Sequence, residues 1–94
     1  PNISRALEEL KERGYWIYGA DMAGESLYTL KFSGKVALVL GSEGKGLRKL
    51  VREKCDILAA IPTYGRIDSL NVSVATGVML YEVRKQLEIS MPQS

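Results

Sequence analysis

Two short stretches concentrate the residues able to do chemistry. The first is GSEGKG at 41–46, which closes the apolar run VALVL at 36–40. Main-chain N–H groups in such a glycine-rich turn can face an anion or a nucleotide. Glu43 places a carboxylate inside that turn, where the positive end of a following helix favours it. The second stretch is Ser69-Leu70-Asn71, which lies just ahead of the last long apolar-rich segment. Asn71 offers both donor and acceptor, and Ser69 a hydroxyl.

Each stretch also has a plainer use. The glycines suit a tight strand-to-helix turn, Glu43 can cap that helix, and Ser69 or Asn71 can cap the final helix. The glycine turn fits neither common nucleotide pattern. Gly41 and Gly46 have the spacing of a phosphate-binding loop, but Leu47 and Arg48 stand where Lys and Ser/Thr are needed. Gly44 and Gly46 begin a dinucleotide pattern, but Lys49 replaces its third glycine.

A cluster of charge comes next: Lys45, Arg48, Lys49, Arg52 and Lys54, against Glu53. It can contact phosphates or simply form a solvated helix face. Cys55 reads as a small buried hydrophobe. Trp16 and the tyrosines beside it read as core residues, with base stacking the alternative. Histidine is absent and Cys55 is the only cysteine. Ser-His and Cys-His catalysis, an internal disulfide and Cys/His metal clusters are therefore excluded for these residues.

The elements that must position these stretches alternate in type. Ser4 is a good N-cap for a helix over 5–13, stopped by Gly14. Residues 15–18, aromatic and β-branched, read as a strand. Residues 19–34 read as a loop, with 26–30 a turn of helix or a strand. The apolar runs 36–40 and 57–61 read as strands buried on both faces, the second stopped by Pro62. A helix is expected after Gly46, with Leu47, Leu50 and Val51 on one face. The last helix is expected over 70–87, and its small residues Ser73, Ala75, Thr76 and Gly77 suit close approach to a neighbouring backbone. This alternation predicts an α/β fold with flanking helices on a mostly parallel sheet. In such sheets ligands bind at the carboxyl ends of strands. Both chemical stretches fall at such ends, one after each buried strand.

Composition sets the outer bounds. The 94 residues allow a single domain, 46% hydrophobic and 26% charged, which is a globular balance. A net charge of +2 neither requires nor excludes nucleic acid. The longest apolar runs are far short of the roughly 20 residues that span a bilayer, so a cytoplasmic location is expected.

Two segments resemble a known family. LVLGSEGKGL (38–47) is similar to motif 2 of the SpoU/TrmH family of RNA ribose 2′-O-methyltransferases, and IPTYGRIDSLNVSVATGVMLYE (61–82) to its motif 3. The upstream part resembles the segment preceding motif 2 in the RlmB-like branch, which acts on a guanosine of 23S rRNA. The resemblance implies a SPOUT-class fold, an α/β domain whose C-terminal part threads a trefoil knot. It implies S-adenosyl-methionine held by main-chain groups of Gly41, Ile61 and Leu70, with Glu43, Ser69 and Asn71 as polar residues of the active centre. It also implies RNA as substrate, a homodimer, and displacement at the sulfonium methyl without a metal. The family's motif 1, which carries an Asn and an Arg, has no match here. Residues 1–94 are therefore expected to be the C-terminal portion of such a domain, with little activity alone; the alternative is a non-catalytic RNA-binding or dimerisation module with a degenerate SPOUT fold.

Overall fold

The computed structural model describes residues 2–41, 46–62 and 72–90, and of residues 72, 73 and 88–90 the main chain only. Six elements succeed one another: α1 (Ile3–Glu12), β1 (Trp16–Ser26), β2 (Val36–Val39), α2 (Lys49–Lys54), β3 (Ile57–Ala60) and α3 (Val72–Ser90). The three strands form one sheet in the order β2-β1-β3, and both pairings are parallel. The α/β class with a parallel sheet is thus as expected.

Several boundaries differ, each for a local reason. Helix α1 starts at Ile3, because the Asn2 side chain accepts from the Arg5 N–H and takes the N-cap position expected of Ser4. Gly14 does end it, in the left-handed region at φ 88. Strand β1 runs well past Tyr18, into residues expected to be loop. Ala20 and Glu25 both pair with Ala59, so residues 21–24 form an excursion within a strand that resumes. Gly24 permits the return: a Cβ there would lie 2.5 Å from both the carbonyl carbon and the oxygen of Leu58. Residues 27–29 form a turn, with the Thr29 N–H bonded to the Ser26 carbonyl at 3.0 Å.

Alternation along β1 divides the core between two faces. Tyr18 points to the α3 side, joining Leu27, Leu30, Phe32, Ala59, Met79 and Val83. Its ring lies 4.5 Å from that of Phe32, and its hydroxyl donates to the Lys31 carbonyl. Ile17, 0% exposed, points to the opposite side. Trp16 is 54% exposed, contrary to the core placement expected, while Tyr15 is half-buried with Lys35 lying 5.6 Å over its ring. Trp16 opens the strand, beyond the reach of the residues that cover Tyr18.

Side chains complete the ladder where the main chain runs out. The Asp56 N–H donates to the Ile17 carbonyl at 2.8 Å, and the Ile17 N–H donates back to Asp56 Oδ2 at 2.7 Å. Gln86 does the same for α3. Its Oε1 accepts from the Phe32 N–H at 2.7 Å, and its Nε2 donates to the Leu30 carbonyl at 3.1 Å. Helix α3 buries Met79 and Val83, while Val78 and Gly77 are exposed and a Cβ on Gly77 would meet nothing within 4 Å. Among the described residues, the small residues of α3 therefore meet no close neighbour at Gly77. No helix among the described residues is long and apolar enough to cross a membrane.

Candidate functional site

In a parallel sheet every strand delivers its C-terminal end to the same rim. Val39, Gly19 and Leu58 form one row across β2, β1 and β3. Gly41 lies two residues beyond that row and Ile61 three, so both candidate main-chain ligands reach the same rim. With neighbouring strands about 4.8 Å apart, the two outer strands are about 10 Å from each other. The central strand leaves this row at its excursion over 21–24 and rejoins β3, where Glu25 and Ser26 pair with Ala59 and Ala60.

The two end glycines of the stretch, Gly41 and Gly46, lie against each other. A Cβ on Gly41 would run into the carbonyl carbon and oxygen of Gly46, and would lie 2.6 Å from the Leu47 nitrogen. Gly46 takes φ 68, a region that disfavours side chains. Both glycines are therefore required by backbone geometry, Gly41 for lack of space and Gly46 for its conformation.

Beyond the turn, the chain departs from the expected helix. Leu47 and Arg48 are not helical, and α2 begins at Lys49. Leu47 instead turns inward and is buried, its Cδ1 2.8 Å from where a Cβ of Gly19 would stand. Cys55 Sγ approaches the same point to 2.5 Å. Gly19 in mid-strand thus makes the slot that anchors the turn's exit onto the sheet. Sequence reasoning did not pair Gly19 with Leu47, although a glycine interrupting an apolar strand is the signal for such an approach.

Cys55 is half-buried, and its thiol donates to the Val51 carbonyl at 3.4 Å. Burial pushes its pKa up, opposed by the Lys11 charge and reinforced by Asp56 and Asp21. It is structural rather than nucleophilic.

Asp21, another residue not singled out from the sequence, stands at the point where β1 leaves the row. Its Oδ1 accepts from the Ala23 N–H at 2.8 Å, forming the first bend of the excursion, and its Oδ2 lies 3.7 Å from Arg52. Lys54 meets Glu8 at 2.8 Å, and that contact holds the Glu8 carboxyl below its ordinary range. The basic cluster is therefore divided. Arg52 and Lys54 tie α2 to β1 and α1, while Arg48 and Lys49 are exposed without an ion pair among the described residues.

At this rim the described residues present main-chain groups of Gly41, Gly46 and Ile61, the apolar Leu40, Ile61 and Pro62, and the cations Arg48 and Lys49. The main-chain and apolar members of that set suit a ligand with a flat apolar part and polar edges, held by the backbone, with Arg48 and Lys49 outside it at the margin. The polar candidates Glu43, Ser69 and Asn71, the main-chain candidate Leu70, and Lys45 lie outside the described residues.

Comparison with known proteins agrees with this architecture. The 23S rRNA (guanosine-2′-O-)-methyltransferase RlmB of Pseudomonas aeruginosa is 52% identical over 86 residues, covering 90% of this chain and 35% of that protein. The protein of the same name from Xylella fastidiosa strain 9a5c is 56% identical over 86 residues, covering 90% and 34%. The chain spans about a third of the length of these relatives. Among solved structures, the A. aeolicus TrmH/SpoU tRNA modifying enzyme superposes with a TM-score of 0.84 at 36% identity, covering 95% of this chain and 46% of that one. The AdoMet-bound rRNA methyltransferase from Sinorhizobium meliloti gives 0.83 at 34% identity, covering 92% and 34%. The model of the SpoU rRNA Methylase family matches residues 1–81, and the chain belongs to that family.

Proposed function

We propose that this chain is the cofactor-binding, C-terminal portion of an S-adenosyl-methionine-dependent RNA ribose 2′-O-methyltransferase. The reading extends to a guanosine of 23S rRNA as target, because the RlmB proteins above carry that activity in their names. One observation carries it: Gly41, packed against Gly46 and Leu47, and Ile61 reach the same rim of a parallel sheet in a SpoU-family chain.

The residues present fit the cofactor. A nucleoside needs an apolar flank and directional polar contacts, and Leu40 and Ile61 supply the first while the main chain of Gly41, Gly46 and Ile61 supplies the second. Leu70 completes the main-chain set in this proposal. The cofactor, when bound, supplies an electrophilic methyl group. The protein's part is to place the ribose hydroxyl and manage its proton, which is catalysis by position and by acid–base relay. Asn71 and Ser69 orient the ribose or phosphate by hydrogen bonds, and Glu43 organises the turn. The proposal includes a trefoil knot threaded by the C-terminal part of the domain, a homodimer, a cytoplasmic site of action, and no metal. Residues 1–94 without a motif 1 Asn and Arg are expected to show little turnover.

Calorimetric titration of the full-length protein with S-adenosyl-homocysteine, and separately with ATP, tests the reading. Binding of the first alone supports it. Tight ATP binding with no response to S-adenosyl-homocysteine overturns it.

A further inference from the structure

The divided charge of α2 has no structural explanation on its own side. Arg48 occupies the N-cap position without a side-chain cap hydrogen bond, and the first turn contains no acid. Ser, Thr, Asp or Asn would satisfy a free N–H there, and a cation is disfavoured by the helix dipole. Lys49 comes next, also at the unfavourable end. Glu53 lies one turn further along the same face, yet makes no ion pair with it among the described residues. The two cations whose positions suit the dipole, Arg52 and Lys54, are the two that are paired within the fold.

Position points the same way. Leu47, the residue before Arg48, is buried against Gly19 and lies beside Gly41. Arg48 and Lys49 are thereby held at the outer lip of the glycine turn. Arg48 is extended, at φ −70 and ψ 153, and Lys49 is the first helical residue, so the two side chains leave one anchored point from different backbone conformations. Two adjacent, anchored and exposed cations without an ion pair among the described residues match two phosphates of a polyanionic strand.

Resting on the methyltransferase reading above, we infer that Arg48 and Lys49 form the lip that grips the RNA sugar–phosphate backbone beside the target ribose. They act as positioning residues for RNA and do not touch the cofactor. Because the contact is to phosphate, it contributes affinity and orientation rather than base choice.

The test uses the full-length protein and a fluorescein-labelled RNA hairpin with guanosine in its loop, with anisotropy measured between 50 and 200 mM KCl. For the R48Q/K49Q variant, affinity is expected to fall about tenfold. The slope of log affinity against log salt should shrink by about 1.4, at roughly 0.7 per lost single-strand phosphate contact. R48K/K49R should stay near wild type, and so should K31Q, which removes an exposed charge elsewhere. S-adenosyl-homocysteine affinity should be unchanged in all three. Wild-type RNA affinity and salt slope in R48Q/K49Q overturn the inference. So does a parallel loss of S-adenosyl-homocysteine binding in both double variants, which would mark a role in the fold. Wild-type protein that binds S-adenosyl-homocysteine but no RNA overturns the inference alone, and wild-type protein that binds neither overturns the methyltransferase reading with it.

Discussion

Gly41 and Gly46 meet main chain to main chain, with no room for a side chain between them. This contact brings the two ends of the glycine-rich stretch together at the end of β2. The two glycines contribute in different ways, and substitution separates them. Gly41→Ala forces the two ends apart against backbone atoms and should cost about 1–3 kcal/mol of stability. Gly46→Ala meets nothing within 4 Å but must hold φ 68, a strain of about 1–2 kcal/mol. Both changes should weaken S-adenosyl-homocysteine binding by about tenfold or more, equivalent to about 1.4 kcal/mol. Urea melts combined with calorimetry report the two effects. Unchanged binding in Gly41→Ala contradicts the contact's role.

A second pair of glycines distinguishes yielding from unyielding neighbours. A Cβ on Gly19 meets side-chain ends, Cys55 Sγ and Leu47 Cδ1, which can shift. A Cβ on Gly24 meets the Leu58 carbonyl itself. Gly24→Ala should therefore cost more stability than Gly19→Ala, by about 1 kcal/mol or more, and show the lower thermal midpoint. Gly19→Ala should instead disturb the site, because displacing Leu47 moves the exit of the glycine-rich stretch.

Asp56 satisfies both main-chain groups of Ile17 and also lies 3.6 Å from Lys11. Asp56→Ala leaves the Ile17 N–H, on a fully buried residue, without its charged acceptor. The expected loss is about 1.5–3 kcal/mol. Denaturant unfolding measures it, and a loss below about 0.5 kcal/mol contradicts the clamp.

Gln86 holds Leu30, Phe32 and Glu82 together. Gln86→Leu should cost about 1–3 kcal/mol, since two backbone groups lose their partner. A pH effect accompanies it. The hydrogen bond from Gln86, then that from Lys85, holds the Glu82 carboxyl below its ordinary value of 4.5. The folded pKa is depressed, so this stabilisation is fully present above about 4.5 and is lost as pH falls through the lower folded value. The thermal midpoint of the parent protein should drop in that acid range, and the drop should be smaller in Gln86→Leu.

Cys55 gives a chemical check on the packing of α2. Burial raises its pKa above the ordinary 9.0, leaving less thiolate at pH 8 than a free cysteine has. Iodoacetamide should label it slowly, with a rate still rising above pH 9. Labelling at the rate of free cysteine contradicts its half-buried placement.

The sheet was legible because VALVL and ILAAI are unbroken apolar runs of strand length, but the burial on both faces expected of them is not met: both are edge strands, half-buried except at Ala59. The family was legible from motifs at 38–47 and 61–82. The features that periodicity could not show depend on contacts across the fold. Leu47 has helical spacing with Leu50 and Val51, yet the Gly19 slot draws it out of the helix. The reach of β1 past Gly19 depends on Gly24 meeting Leu58, a partner 34 residues away in the chain. Trp16 reads as core by type, but its place at the start of β1 leaves it half in solvent. The basic cluster looked uniform in sequence, and only the positions of Asp21 and Glu8 divide it.

The central claim is that the ends of β2 and β3 jointly hold the cofactor through their main chains. Amide chemical-shift mapping of the full-length protein titrated with S-adenosyl-homocysteine tests it directly. The Gly41, Gly46 and Ile61 amides should shift strongly, while Gly14 and Gly34, which precede β1 and β2 at the other end of the sheet, should not. Saturable binding that leaves Gly41 and Ile61 unshifted would contradict the account.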